Sequence, residues 1–305
     1  MAEILHVVPG LDVPGNGISV AARILASKQG ARVCEARTFK RDLLQGVEEV
    51  WVHSVWTPMT IRSCHITLSE QKRLVRMPHG NLDPVRLSYH AWRKRLAGFI
   101  ERPLLRRTNR IIATCEAERS WIRAYLGNRC PPIEIVDLKR FFCLPSCTTN
   151  VSCLSSEVNR PLHLLYLGRR HPLKGLECLE AAVADIIHDH RSYGVECTAS
   201  PIELRIVSNA FGDEKERVWE WCDVLVLPTL SENFGLVVAE ALERGKRVIT
   251  TDGAPAWDDG NDYGGRMEYL KGYRDGTQAH RIELLKKAIC GMSTEQNSKS
   301  SERKG

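Results

Sequence analysis

The sequence predicts an α/β protein built from two doubly wound domains. Short apolar runs rich in β-branched residues alternate with longer helical patterns along most of the 305 residues, and such alternation is typical of parallel sheets covered by helices. Between two such series, residues 143–161 are rich in Cys, Ser, Thr, Asn and Pro and have little periodicity, which indicates a linker. The length suits two domains of roughly 150 residues each.

The predicted elements follow from apolar runs bounded by proline, glycine or polar residues. In the first half we expect strands at 4–8, 50–56, 73–77, 110–114 and 133–136, and helices at 18–28 and 116–126. In the second half we expect strands at 162–168, 202–208, 223–228 and 247–251, and helices at 175–188, 214–221 and 236–242. The predicted domains are residues 1–150 and 151–292, followed by a polar, charged tail at 293–305 that is expected to be disordered.

Composition narrows the class of protein. No early segment has the apolar length of a signal peptide or a membrane span, because the run Ile4 to Val8 is too short. The eleven cysteines are scattered and odd in number, which favours reduced thiols over a disulfide framework. We therefore expect a cytoplasmic protein. No recognised nucleic-acid motif accompanies the formal charge of +6, so nucleic acid is not an expected partner.

The segment from Pro228 to Arg244 carries two carboxylates, Glu232 and Glu240, across a strand end, a loop and a helix start. An acid inside an apolar helix costs several kcal/mol unless it is hydrogen-bonded, and a ligand hydroxyl is a suitable partner. Gly235 lets the backbone approach a ligand, and the free amides of a helix's first turn suit a phosphate. These features predict a nucleotide-sugar site; a capping acid beside a buried structural acid is the alternative.

This segment resembles the Glu-x7-Glu signature of retaining GT-B glycosyltransferases of family four (glycosyl transferases group 1), read here from Glu232 to Glu240. The resemblance implies two Rossmann-like domains facing each other across a cleft. The chain departs from the family in one respect, because residues 190–228 have room for one strand–helix unit where the family usually has two. We therefore expect a compact second domain, with shortened closing helices after residue 257. The resemblance places Glu232 beside the transferred sugar and Glu240 on the nucleotide ribose. Asn233, Phe234, Gly235 and Leu236, within the same signature, are candidate donor-binding residues.

The loop Gly168-Arg-Arg-His-Pro-Leu-Lys-Gly175 follows a predicted strand, and ligands bind at the carboxyl edge of such sheets. Its cations could neutralise a pyrophosphate, although surface cations flanking a turn are the alternative. The loop resembles the Gly-Arg-x-x-x-x-Lys-Gly element of the same family, which assigns Arg169 and Lys174 to the departing diphosphate.

Two elements of the first half also resemble the family. Pro14-Gly-Asn-Gly-Ile-Ser19 stands where the family has its glycine-rich loop, so Gly15 and Gly17 are candidate donor-binding residues. Pro78-His-Gly80 resembles a His-Gly element that faces the reacting sugar, and this makes His79 a candidate catalytic residue together with Glu232, Arg169 and Lys174. A lone histidine at a strand end is otherwise more often structural.

Residues 86–110 contain eight basic residues and one acid, Glu101, with apolar residues interleaved at helical spacing. Such a helix suits an anionic membrane surface. Alternatively, its apolar face packs on its own sheet.

The sequence thus predicts transfer of a sugar from a nucleoside diphosphate to a hydroxyl of a glycan or glycolipid acceptor, with retention of configuration. No cofactor or metal is expected, since no Asp-x-Asp motif is present and the family needs none. The setting implied is lipopolysaccharide, capsule or glycolipid synthesis, with peripheral binding to the inner membrane face. A GT-B epimerase or sugar synthase, or a binding protein without turnover, remains an alternative. The base, sugar and acceptor depend on variable loops and are not predicted.

Overall fold

The computed structural model of the chain describes residues 3–11, 17–145, 160–192, 201–208 and 210–301. It divides into two compact units, Met1–Phe141 and Phe142–Gly305. The sequence predicted the boundary at residue 150, which lies outside the described residues. No helix in the described part of the chain is long and apolar enough to cross a bilayer.

The first unit contains a six-stranded parallel sheet with the strand order β2-β1-β3-β4-β5-β6. Its strands are β1 (Glu3–Val8), β2 (Arg32–Glu35), β3 (Val47–His53), β4 (Arg73–Met77), β5 (Arg110–Ala113) and β6 (Ile133–Ile135). Its helices are α1 (Gly17–Gln29), α2 (Pro58–Ser69), α3 (Pro84–Ser88), α4 (Ala91–Arg106) and α5 (Glu116–Leu126).

Burial explains why these strands read as continuous apolar runs. Val7, Val50 and Leu74 from three neighbouring strands have no exposed surface, as expected for a parallel sheet covered on both faces. Ile111 from β5 and Ile122 from α5 belong to a second buried cluster. The central strands and their carboxyl ends are therefore held by apolar packing.

The second unit contains a five-stranded parallel sheet with the strand order β11-β10-β9-β7-β8. Its strands are β7 (Leu162–Leu167), β8 (Ile202–Val207), β9 (Val224–Leu227), β10 (Arg247–Thr251) and β11 (Met267–Leu270). Its helices are α6 (Leu176–Ser192), α7 (Gly212–Trp221), α8 (Leu236–Glu243) and α9 (Gln278–Ser301). Leu164, Val226 and Ile249 are fully buried at the centre of its core.

Several elements differ from those predicted. The strand β2, the helix α2 and the strand β11 lie where the sequence predicted no element. Closing helices were expected to be shortened, but α9 has 24 residues. It contributes Leu285 and Ile289 to the core, so tertiary packing stabilises a helix whose composition is largely polar. It also reaches Ser301, within the segment 293–305 for which the sequence predicted a tail.

Candidate functional site in the second unit and a histidine chain in the first

The second unit has its topological switch point between β7 and β9. From β7 the chain moves to β8 on one side, and β9 then pairs with β7 on the other side. In open α/β sheets, ligands bind beyond the carboxyl ends of the two strands at this point. The two loops that leave these strands are residues 168–175 and residues 228–235. They are the loops that the sequence predicted as binding elements.

Main-chain contacts hold the two loops together. The amide of Leu230 donates to the carbonyl oxygen of Leu173 over 2.8 Å, and the Thr229 hydroxyl donates to the same oxygen over 3.0 Å. Gly175 has φ +64°, and a Cβ there would lie 2.0 Å from the carbonyl oxygen of Pro228. Since this distance is far below any van der Waals contact, only glycine allows the loops to approach so closely.

Lys174 and Glu232 meet where these loops join. The Lys174 ammonium donates to Oε2 of Glu232, and the two side chains are 17% and 19% exposed. The other carboxylate oxygen accepts from the Asn233 amide over 3.2 Å. The Glu232 amide donates to Gly253 in the loop after β10 over 2.7 Å. A partly exposed cation and carboxylate, fixed by three loops, therefore lie at the switch point.

The arginines of the first loop are more exposed than Lys174. Arg169 is exposed, and its carbonyl oxygen accepts from the hydroxyl of the buried Tyr166 over 2.9 Å. Burial raises the pKa of Tyr166 to about 12, with Glu232 acting in the same direction and the two arginines opposing it. Arg170 is paired with Glu180 over 3.6 Å. Tyr166 thus lies within electrostatic reach of both Arg169 and Glu232.

The remaining residues of the signature lead into α8. Asn233 and Phe234 are buried, and the Phe234 ring packs 5.2 Å from Trp257. The indole N–H of Trp257 donates to the Phe234 carbonyl oxygen. Gly235 has φ +70° and is the N-cap of α8, and Leu236 is its first residue. The first amides of a helix have no intrahelical acceptor, so this end of α8 presents donors beside Glu232.

Glu240 lies about one turn along α8 and is paired with a residue of α7. The Lys215 ammonium lies 2.6 Å from Glu240 Oε2, and the side chains are 28% and 23% exposed. The two atoms are close but poorly aligned for a hydrogen bond, since Oε2 is buried without one. The sequence predicted a buried acid that needs a polar partner. The structure has a half-buried acid with a lysine partner, which the sequence did not identify.

In the first unit, His79 follows β4 in the left-handed region, with φ +57°. It is 5% exposed, and its Nε2 lies 2.8 Å from Nδ1 of His53 at the end of β3. His53 in turn contacts His6 of β1, with 2.9 Å between Nε2 and His6 Nδ1. A histidine that the sequence treated as isolated is therefore one end of a chain of three.

The loop that carries His79 is held by a buried acid. The amide of Gly80 donates to Glu118 Oε1 over 2.6 Å, and the amide and hydroxyl of Thr114 donate to Oε2, each over 2.8 Å. Burial raises the pKa of Glu118, while these hydrogen bonds oppose the shift. Glu118 thus ties the end of β4 to the end of β5.

One of the two candidate glycines lies at the start of α1. Gly17 is the first residue of α1 and is exposed. Gly15 lies outside the described residues, so its predicted role at the donor stays a prediction. No group of three or more His, Cys, Asp or Glu side chains that could hold a metal occurs in the described parts of the chain.

Comparison with known proteins identifies the second unit. Residues 161–270, from the residue before β7 to the end of β11, match the family model of glycosyl transferases group 1. The second unit is a glycosyl transferases group 1 domain. The sequence-based prediction of a glycosyltransferase is confirmed at this level.

Solved structures share the fold over nearly the whole chain. A sucrose-phosphate synthase from Thermosynechococcus elongatus has a TM-score of 0.62 at 14% identity, covering 99% of this chain and 94% of that one. HepE from Anabaena, in complex with UDP-glucose, has a TM-score of 0.57 at 14% identity, covering 99% of each chain. A UDP-forming trehalose-phosphate synthase from Burkholderia xenovorans has a TM-score of 0.59 at 9% identity, covering 99% of this chain and 95% of that one.

These likenesses confirm the predicted GT-B fold class. No curated protein is significantly similar to this chain in sequence.

Sequence reasoning missed Tyr166, Lys215 and His6 as neighbours of the candidate residues. Tyr166 and His6 lie inside buried strands, where a polar side chain is a signal that could have been used. Lys215 lies in a charged helix and gives no comparable signal.

Proposed function

We propose that this glycosyltransferase moves a sugar from a nucleoside diphosphate to an acceptor hydroxyl, with retention of the anomeric configuration. The observation that carries the proposal is the contact between Lys174 and Glu232 at the switch point, beside the N-terminus of α8. A cation for a phosphate and a carboxylate for sugar hydroxyls are thus adjacent within one matched domain. Retention rests on the resemblance of the segment from Glu232 to Glu240 to retaining enzymes.

The chemistry assigned to these residues is electrostatic. The bond between the sugar's anomeric carbon and the phosphate oxygen breaks, a bond to the acceptor oxygen forms, and the acceptor proton leaves with the diphosphate or to solvent. Lys174 and Arg169 offset the negative charge that grows on the diphosphate. Glu232 orients the sugar through its hydroxyls, and Glu240 accepts hydrogen bonds from the ribose. No step is assigned to a metal ion.

Uridine diphosphate sugars are the first donors to test, because HepE of the same fold is in complex with UDP-glucose and another neighbour is UDP-forming. Guanosine and adenosine diphosphate sugars form the rest of the panel. Transfer to a glycan or glycolipid acceptor is followed by mass spectrometry, and proton NMR of the product gives its anomeric configuration. An inverted product would contradict the assignment of retention.

Glu232→Gln is the decisive variant, because it removes the charge and keeps the size of the side chain. We expect donor hydrolysis and transfer to fall by about a hundredfold or more, as for loss of one preorganised electrostatic contact, while the binding of UDP persists. Glu220→Gln is the matched control, since Glu220 is an exposed glutamate of α7. Equal activity of the two variants would overturn the role of Glu232.

The same measurements separate the alternative functions. An epimerase changes the donor without acceptor, and a sugar synthase joins the donor sugar to a second small sugar. A binding protein raises its melting temperature with nucleotide but shows neither hydrolysis nor transfer. Absence of both activities across the donor panel would contradict the proposal of an enzyme.

We further propose that the acceptor is presented at an anionic membrane surface, to which α4 binds. The sequence left open whether the apolar face of this helix packs on its own sheet, and only part of it does. Leu104 and Leu105 are buried, whereas Trp92, Leu96, Phe99 and Ile100 are 62%, 60%, 80% and 52% exposed. These four residues have the spacing i, i+4, i+7 and i+8, so they lie on one face of α4.

Basic residues flank this apolar stripe, which we define as Trp92, Leu96, Phe99 and Ile100. Arg93, Arg95 and Arg102 are exposed, and their positions in the helix fall on either side of the stripe. Insertion of large apolar side chains together with attraction of arginines to anionic headgroups is how interfacial helices bind. Lipopolysaccharide, capsule and other glycolipids are acceptors compatible with such a surface, on the cytoplasmic membrane face.

Co-sedimentation with vesicles tests this surface. We expect binding to vesicles that contain phosphatidylglycerol, weaker binding to pure phosphatidylcholine, and loss of binding in Leu96→Ser/Phe99→Ser. Met59→Ser is the control, because Met59 is an exposed apolar residue of α2 outside the stripe. Unchanged binding of the double variant would contradict the proposal. The proposal would also be contradicted if the protein formed a dimer that the double variant dissociated, because the stripe would then bind a second copy of the chain and not a membrane.

A further inference from the structure

Three buried histidines of the first unit form one hydrogen-bonded chain. His6, His53 and His79 are 0%, 0% and 5% exposed. Their rings are stacked, with centroids 5.1 Å apart for both neighbouring pairs and interplanar angles of 27° and 29°. The nitrogen atoms are 2.9 Å apart in the first pair and 2.8 Å apart in the second. The chain crosses from β1 to the end of β3 and on to the loop after β4.

Gln29, the last residue of α1, lies at one end of this chain. Its Oε1 is 2.7 Å from Nε2 of His6. An amide oxygen only accepts, and a neutral imidazole has one N–H donor and one acceptor nitrogen. His6 therefore donates from Nε2 and accepts at Nδ1. The same rule makes His53 donate from Nε2 to His6 and accept at Nδ1 from Nε2 of His79.

The rings are neutral under ordinary conditions, as this arrangement requires. Burial lowers the pKa of His6 to about 4 and that of His79 to about 3. The pKa of His53 is also well below its usual value, chiefly through burial and also through His79, His6 and Arg76. Each neutral imidazole carries a single N–H, so the tautomer at one end of the chain decides the tautomer at the other end.

The backbone of the last ring is held in an unusual conformation. His79 has φ +57°, and Ser54, directly after His53, has φ +70°. Non-glycine residues are uncommon in this left-handed region and persist where surrounding contacts fix them. The amide of Gly80 is bound to buried Glu118, as described above. The orientation of the His79 ring is thus fixed from both sides of the residue.

We propose that Gln29, His6 and His53 are positioning residues that fix His79 as the Nε2–H tautomer, leaving Nδ1 as an unprotonated acceptor for a substrate hydroxyl. Among the described residues, Nδ1 of His79 has no hydrogen-bond partner. The role toward substrate rests on the proposed glycosyl transfer. The tautomer is a property of the free protein and does not depend on that function.

Nitrogen NMR of the full chain labelled with 15N-histidine tests the tautomer directly. At pH 7 we expect His6, His53 and His79 to carry their proton on Nε2, with Nδ1 at the shift of an unprotonated nitrogen. A proton on Nδ1 of His79 would overturn the inference. This spectrum needs no substrate, so it stands even if no transfer activity is found.

Substitution of the exposed Gln29 tests whether the chain transmits the choice of tautomer. Gln29→Leu removes the terminal acceptor, so we expect signals from both tautomers of His79. Gln29→Glu keeps an acceptor at the same place and restores the Nε2–H form. Lys28→Leu, at the neighbouring exposed position, is the control and should leave the spectrum unchanged. An unchanged His79 spectrum in Gln29→Leu would contradict the proposal.

Kinetics give a second readout once a donor is known. If both tautomers of His79 are about equally populated in Gln29→Leu, the fraction in the Nε2–H form is about halved, so kcat should fall about twofold. KM for the donor should be unchanged, and Gln29→Glu should restore kcat. A purely structural role would instead lower the melting temperature and leave kcat per folded enzyme unchanged. If Glu232→Gln abolishes transfer but Gln29→Leu does not alter kcat, the positioning inference fails and the proposed function stands.

Discussion

Gly175→Ala tests the close approach that creates the switch-point site. Residue 175 lies where the loop after β7 meets the loop after β9, and an alanine Cβ would lie 2.0 Å from the carbonyl oxygen of Pro228. An ordinary contact of this kind is longer than 3.4 Å, so the two backbones must separate by about 1 Å or more. The substitution therefore perturbs the site without removing any functional group.

The expected loss in the free energy of unfolding has two parts. A left-handed φ costs an L-residue about 1 kcal/mol. Separation of the loops weakens the two hydrogen bonds to the Leu173 carbonyl oxygen, from the Leu230 amide and the Thr229 hydroxyl, each worth about 1 kcal/mol. We expect Gly175→Ala to lower the free energy of unfolding by about 3 kcal/mol in total.

Gly245→Ala isolates the first part, the cost of the left-handed φ. Gly245 has a similar φ of +68°, but nothing lies within 4 Å of a Cβ built there. This variant should lose only the conformational cost, about 1 kcal/mol. Guanidinium unfolding followed by circular dichroism gives both values from the shift of the midpoint at constant m. If the chain unfolds in two steps, the transition that Gly245→Ala shifts belongs to the second unit.

Equal destabilisation by the two variants, within about 0.5 kcal/mol, would refute the argument from close approach. The ligand response gives a further check. Lys174 directly precedes Gly175, so the stabilisation of the protein by UDP should be smaller in Gly175→Ala than in Gly245→Ala.

Three other outcomes follow from the contacts described above. The free energy of unfolding should fall as the pH is lowered from about 6.5 to about 4, by about 1.4 kcal/mol per pH unit for each of His6 and His79. The reason is that their pKa values in the folded protein are about 4 and about 3, so that in this range only the unfolded chain binds the protons. A constant unfolding midpoint across this pH range would contradict the prediction. Arg76→Met should lower the free energy of unfolding by about 3–5 kcal/mol, because it leaves Glu101 without its ion-pair partner where both side chains are fully buried. In a thermal melt, Arg76→Met/Glu101→Leu should recover part of this loss. Tyr166→Phe should lower the free energy of unfolding by about 1 kcal/mol and should lower the affinity for UDP, because the Tyr166 hydroxyl donates a hydrogen bond to the loop after β7. An unchanged affinity in a UDP titration would show that this hydrogen bond does not contribute to binding.

The sequence by itself determined the elements whose signals are local. The apolar run of β9 and the helix α8 were predicted nearly to their observed ends because burial on both faces leaves a continuous apolar pattern. The resemblance to the glycosyltransferase family was likewise visible in a short segment, from Glu232 to Glu240. The single strand and helix between α6 and β9 also followed from length alone, and β8 with α7 is what the described residues contain.

Local patterns failed where an element depends on its neighbours. The helix α9 has little amphipathic signal, and packing of Leu285 and Ile289 against the core stabilises it. The strand β11 is stabilised by its pairing with β10. In both cases the stabilising contacts come from residues far away in the chain, which a window of sequence does not contain.

Only the tertiary structure decided which polar groups meet. Lys174 and Glu232 are 58 positions apart, and His6, His53 and His79 come from three separate segments. Parallel strands that are distant in sequence lie side by side in the sheet, so their carboxyl ends converge at distances that no spacing along the chain encodes. The order of the strands in the sheet therefore decides which of the candidate residues predicted from the sequence contact one another.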